Sequence, residues 1–177
     1  MDIWTVGHGA RSLDEFVAIL GAADIQALAD VRLLPGSRRH PHFGAESLEV
    51  ALRQIGIAYV HLPELGGRRE PRADSPHRAL RVAAFRGYAD HMSTAEFARG
   101  YERLTVLART SRTAVMCAET LWWRCHRRLI SDRLTVDGWT VTHLFAPGKS
   151  EPHVLWNVAR TLDGHLVYDE GTLPLPT

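Results

Sequence analysis

Lysine is all but missing from this chain: of 21 lysine and arginine residues, only Lys149 is a lysine. Positive charge is therefore carried by guanidiniums, whose planar fork suits carboxylate and phosphate oxygens better than an ammonium does. The plainer reading of the global ratio is a coding bias toward arginine, so only local clustering argues for function. Cysteine is also scarce, with two residues, which excludes a disulfide framework and fits a reducing compartment. No apolar run approaches the roughly 20 residues that span a bilayer. The start, Met1-Asp2-Ile3-Trp4, lacks the basic stretch and apolar core of a signal peptide. A soluble, cytoplasmic protein without membrane contact is the expectation. A net charge of +1 argues against wholesale electrostatic binding of nucleic acid. Repeats and low-complexity tracts are absent too, and the prolines punctuate loops without marking a linker. One domain over 1–177 is expected, with a candidate C-terminal arm from about 147.

What is present is an alternation of apolar and amphipathic stretches. Residues 3–6, 25–31, 57–62, 113–117 and 139–145 read as strands, with a further short strand at 165–168. Between them, Ser12 with Glu15 three residues on forms a capping-box signature, followed by Leu13, Phe16, Val17 and Leu20 at helical spacing. Residues 45–55, 77–92, 122–136 and 154–162 read as helices, as does a stretch capped by Ser93 or Thr94 that carries Phe97, Tyr101, Leu104 and Leu107. Strands alternating with helices predict an α/β fold: a largely parallel sheet of about five strands flanked by helices, Rossmann-like.

In open parallel sheets, ligands bind beyond the carboxyl ends of the strands. The predicted ends carry polar chemistry at each position: Gly7-His8, Asp30 with Arg32, His61, Cys117 with Glu119, and His143. Three arginine clusters follow, at Arg32, Arg38 and Arg39, at Arg68, Arg69 and Arg72, and at Arg124, Arg127, Arg128 and Arg133. They point to an anionic, phosphate-bearing ligand. Trp122 and Trp123 add aromatic surface, at least one of them expected in the core.

Met116-Cys117-Ala118-Glu119 and Cys125-His126-Arg127 concentrate the reactive groups. Cys117, just before the predicted helix, is balanced between nucleophile and buried hydrophobe. Cys125, expected a turn or more inside the helix, leans to a structural role. The Cys-x5-Arg loop of cysteine phosphatases and rhodaneses is not met: position 123 is Trp, and Arg124 comes one residue late. Cys117, Cys125 and His126 are weak metal candidates, since neither Cys-x2-Cys nor His-x3-His spacing occurs. Gly7-His8-Gly9 after the first strand lacks the third glycine of a nucleotide fingerprint.

Taken together, Thr5-Val6-Gly7-His8-Gly9, Asp30-Val31-Arg32, Pro35-Gly36-Ser37-Arg38, Pro41-His42-Phe43, Gly56-Ile57-Ala58-Tyr59, Leu65-Gly66-Gly67-Arg68 and the Cys-Ala-Glu…Cys-His-Arg segment resemble the bacterial and archaeal family catalogued as domain of unknown function 488. The resemblance runs from Ile3 to about His143. It implies a compact α/β domain with a site built from these motifs, and no established activity. One departure is Gly9, where relatives typically carry Ser.

The expected function is an enzyme acting by hydrolysis or group transfer on a phosphate-bearing nucleotide or nucleic acid. Cys117, Glu119, His126, His8 and Asp30 are the catalytic candidates, and Arg32, Arg38, Arg68 and Arg127 the anion-binding ones. No cofactor is required, although a divalent metal is compatible. The alternatives are a non-catalytic module that binds a nucleotide or single-stranded nucleic acid, and a cysteine-based redox or metal protein. An anionic small molecule or nucleic acid is the expected partner.

Overall fold

The capping box at Ser12 forms as its spacing demands. The Glu15 amide donates to the Ser12 hydroxyl, while the Ser12 amide donates to the Glu15 carboxylate, starting helix α1 (Leu13–Ala22). The computed structural model describes residues 1–36 and 39–169. Its six-stranded sheet comprises β1 (Asp2–Gly7), β2 (Ala27–Asp30), β3 (Ala58–His61), β4 (Thr113–Cys117), β5 (Thr140–Ala146) and β6 (Lys149–Pro152), in the order β3-β2-β4-β1-β5-β6. The first five strands pair in parallel, and β6 returns antiparallel to β5 at one edge. The α/β class and the largely parallel sheet are as expected.

Strand β4 shows why the sheet needs cover on both faces. Ala114 and Met116 pack with α1 and α2 (Ala45–Gln54), through Phe16, Leu20, Leu48 and Leu52. Val115 and Cys117 turn to the other face, where α3 (Ala83–His91), α4 (Ala95–Thr110) and α5 (Arg127–Val136) contribute Tyr88, Leu104 and Leu129. This alternation is the period-two consequence of strand geometry.

Three element assignments are corrected. The helix expected over 154–162 is absent. Instead β7 (Ala159–Leu162) pairs with β8 (His165–Tyr168) as a separate hairpin. Asp163 and Gly164 both adopt positive φ, at 49° and 77°, the requirement of a two-residue type I′ turn, which Asp-Gly sequences favour. The helix expected over 122–136 splits into a 3-10 turn (Trp122–Arg124) and α5, because Cys125 is extended, with φ −129° and ψ 154°. The helix expected over 77–92 is confined to Ala83–His91. Neither tryptophan of the pair is core: Trp122 is half-buried and Trp123 exposed.

Beyond residue 147, β6 and the β7–β8 hairpin are tied to α5 by buried polar contacts. Asp132 accepts from His153 Nε2 at 2.9 Å, from the Trp156 amide at 3.0 Å and from the Tyr168 hydroxyl at 3.1 Å. No helix among the described residues is long and apolar enough to cross a membrane.

Candidate functional site

Strands β1 and β4 are neighbours, yet the helices that follow them, α1 and α5, cover opposite faces. That arrangement is the switch point of an open α/β sheet, where departing loops leave a crevice at the carboxyl edge. The ladder continues past the strands: the His8 amide donates to the Cys117 carbonyl at 3.1 Å, and the Gly9 amide to Ala118 at 2.9 Å. Gly7 permits this approach, since a Cβ there would lie 2.0 Å from the Glu119 carbonyl oxygen.

A cleft of about 510 Å³ opens at this point, lined by Gly67, Arg68, Tyr88, Cys117, Glu119, Arg124, Cys125 and His126 among others. A second cavity of about 350 Å³, under Arg32, Leu33 and Leu34, shares Gly67, Arg68, Cys117, Ala118 and His126 with it. The loops after β1, β2, β3 and β4 therefore all contribute.

Cys117, Cys125 and His126 meet on its floor. His126 Nδ1 is 3.8 Å from Cys117 Sγ and 3.6 Å from Cys125 Sγ. His126 Nε2 lies 3.1 Å from the Val31 carbonyl. A carbonyl only accepts, so Nε2 carries a proton that points there, and Nδ1 is the ring atom that faces the two sulfurs. The two thiols are pushed apart in acidity. Its hydrogen bond to Cys125, burial and the charge of Cys125 hold the Cys117 thiol well above the ordinary range. Burial also pushes Cys125 up, but the bond from Cys117 and the neighbouring His126 and Arg127 outweigh it and bring Cys125 well below. Cys125, expected inside a helix in a structural role, thus lies in the cleft as the more acidic sulfur of the pair.

The guanidiniums divide into two kinds. Arg68 and Arg124 are exposed on the cleft wall, and their guanidiniums make no hydrogen bond or ion pair to any described residue. Arg32 lines the second cavity, held by the buried Asp30 carboxylate through Nε at 2.9 Å and Nη2 at 2.5 Å. Arg127, expected to bind an anion, is turned inward and is 1% exposed. It donates to the Glu119 and Thr120 carbonyls and to Thr5 Oγ1. Arg38 lies outside the described residues.

The Thr5 contact belongs to a continuous hydrogen-bonded chain. Asp132 accepts from His153 Nε2, and His153 Nδ1 shares a hydrogen bond of 3.0 Å with His143 Nε2. His143 Nδ1 in turn hydrogen-bonds Thr5 Oγ1 at 2.7 Å. The chain connects a buried guanidinium to a buried carboxylate through a hydroxyl and two imidazoles, so both buried charges keep hydrogen-bonded partners. His143 is mid-strand and 1% exposed, not at the end of β5 as the sequence suggested.

Of the five catalytic candidates, Cys117, Glu119 and His126 line the cleft, and Glu119 is its exposed carboxylate. Asp30 and His8 line neither cavity. Asp30 accepts from Arg32, from the Arg32 amide and from the Tyr59 hydroxyl at 2.7 Å. With no exposed surface, it positions Arg32. His8 donates from Nδ1 to the Gly9 carbonyl and accepts from Arg32 Nη1 at 3.3 Å on Nε2. Burial, then the Arg32 charge, lower its pKa to about 4, so it stands neutral behind the cleft. Arg124 and Tyr88 were not singled out in the sequence. Arg124 was one arginine in a cluster of four, and Tyr88 had no signal beyond an apolar helical face.

The fold and site define an α/β protein with a thiol–imidazole cleft at its topological switch point. The chain belongs to the family described as domain of unknown function DUF488, whose model matches residues 12–134. That match includes Asp30, Arg32, Arg68 and the segment from Cys117 to Arg127. Searches of curated proteins and of solved structures found no match.

Proposed function

We infer that the protein is an enzyme that binds a phosphate-bearing nucleotide or nucleic acid in this cleft and acts on it by hydrolysis or group transfer. The observation that carries the reading is a reactive floor of Cys117, Cys125 and His126 beneath two guanidiniums, Arg68 and Arg124, without partners among the described residues. Unpartnered guanidiniums on the wall of a concave site are suited to bidentate contacts with phosphate oxygens. Arg32, fixed by Asp30, presents a third positive charge from the adjoining cavity. Glu119 is the carboxylate placed to take or give a proton at a bound ligand, and the side chains of Tyr88 and Phe85 supply apolar wall for a base.

The test separates binding from chemistry. Wild type is titrated with a panel of nucleoside mono-, di- and triphosphates and short single-stranded oligonucleotides, and substrate consumption is followed for those that bind. Replacing Arg68 and Arg124 together by Ala should weaken affinity by about 10-fold or more, the loss of one or two charge-assisted contacts. Glu119→Gln should leave affinity within a few-fold and abolish turnover. Affinity that depends on the arginines, with no ligand ever consumed, would identify a binding module instead.

A further inference from the structure

Three donor atoms on the cleft floor lie close enough together to share one metal ion. Cys117 Sγ, Cys125 Sγ and His126 Nδ1 all lie within 4.8 Å of one another, with sulfur–nitrogen separations of 3.8 and 3.6 Å. Tetrahedral zinc, with bonds of about 2.3 Å to sulfur and about 2.05 Å to nitrogen, places such atoms about 3.6 Å apart for the sulfur–nitrogen edge. We propose that Cys117, Cys125 and His126 bind a thiophilic divalent cation of the zinc class, with its fourth position open to the cleft.

Three independent features support the assignment. First, the outer contact of the imidazole is already made. His126 Nε2 donates to the Val31 carbonyl, which orients the ring and leaves Nδ1 as the ligating atom, the arrangement common to metal-bound histidines. Second, the corners are carried on well-packed backbone. Cys117 ends the buried strand β4, and the extended conformation of Cys125 interrupts the helical run so that its thiol joins the group. Both cysteines are at least nine-tenths buried, so ligands and metal would sit in a partly dry environment. Third, the space beside the imidazole is kept clear by a glycine. A Cβ on Gly67 would lie 2.8 Å from His126 Nδ1.

Donor chemistry selects the ion. Two thiolates and an imidazole favour zinc, cobalt or ferrous iron over magnesium or calcium, which prefer oxygen. Binding takes the metal ion with two thiols and one neutral imidazole to a neutral bis-thiolate complex and releases two protons. Three protein ligands with an exposed fourth direction are the pattern of catalytic sites, where the ion polarises a bound water or a phosphoryl oxygen. The metal deepens the reading above and rests on it only for what occupies that fourth position. By sequence these three residues were only weak metal candidates, because Cys117 and Cys125 are separated by a loop rather than by a short knuckle.

The experiment uses the full chain, reduced and stripped with chelator, titrated with Co(II) and then competed with Zn(II). One equivalent should bind, with a sulfur-to-cobalt charge-transfer band and the intense visible bands of a tetrahedral ion. Cys117→Ser and Cys125→Ser should each weaken Co(II) affinity about 100-fold or more and diminish the charge-transfer band, whereas Arg68→Ala leaves both unchanged. Because a floor variant can fail to fold, the wild-type spectrum stands as a test by itself. A weak octahedral spectrum without sulfur charge transfer, or binding indifferent to Cys125→Ser, overturns the proposal. Nucleotide affinity of the stripped protein, read in the same preparation, tests the substrate reading separately: it depends on Arg68 and Arg124 whether or not a metal binds.

Discussion

At the scale of single residues, the difference between a group that acts and one that supports is a matter of occupied lone pairs and donors. Asp30 ends β2, Glu119 follows β4, and both were catalytic candidates. Asp30 accepts three kinds of donor and has no exposed surface, whereas Glu119 faces the cleft. Asp30→Ala leaves the Arg32 guanidinium buried without its partner, and breaking such a pair costs about 3–5 kcal/mol. Denaturant melts of wild type and variant should show a loss of that size. A loss below about 1 kcal/mol would mean that the carboxylate is not the anchor of Arg32. Strand ends could be read from the sequence because hydrophobic alternation marks them. Which end residue has its bonding capacity filled could not, since Tyr59 and Arg32 converge on Asp30 only once β2 and β3 are paired.

At the scale of elements, local signals were read well where they were strong and self-contained. Ser12 and Glu15 cap α1 as their spacing requires, and β4 and β8 occupy the expected residues. Ser12→Ala removes the hydroxyl that accepts from the Glu15 amide and should cost about 1 kcal/mol, measured as a fall in the unfolding midpoint. An unchanged midpoint would show that α1 is held by packing alone. Failures fell where tertiary contacts override a periodic pattern. Residues 122–125 have helical spacing with α5, but Cys125 leaves the helical region to meet His126 and Cys117. Residues 154–162 look helical, but Asp163-Gly164 turns them into a hairpin arm whose Tyr168 reaches Asp132. That one turn signal would have separated the two outcomes.

At the scale of the whole molecule, buried imidazoles make stability depend on pH. His8 is lowered from 6.5 to about 4 by burial and then by Arg32, and His143 to about 2 by burial and then by His153. His77 and His91 are lowered as well, burial first. When pH falls below 6.5, the unfolded chain takes up protons that the folded protein refuses, so stability falls with pH through the window from 6.5 to about 4 and below. Urea midpoints between pH 6.5 and 4 should decline steadily. A flat profile would contradict neutral burial of these rings.

The parallel sheet and its carboxyl-edge crevice were legible because strand–helix alternation dictates them. Cys117 and His126 were legible as site candidates, but the place of Cys125 on the floor was not, because it depends on how a loop folds Cys125 back onto Cys117 and His126. The claim that unites the site is that Arg68 and Arg124 hold a phosphate-bearing ligand above that floor. The most direct measurement is an equilibrium titration of wild type and the Arg68→Ala/Arg124→Ala double variant with the nucleotide and oligonucleotide panel. Saturable one-to-one binding to wild type, weakened about 10-fold or more in the double variant, is the predicted result. Absence of binding to wild type, or equal affinity in the two proteins, would contradict it.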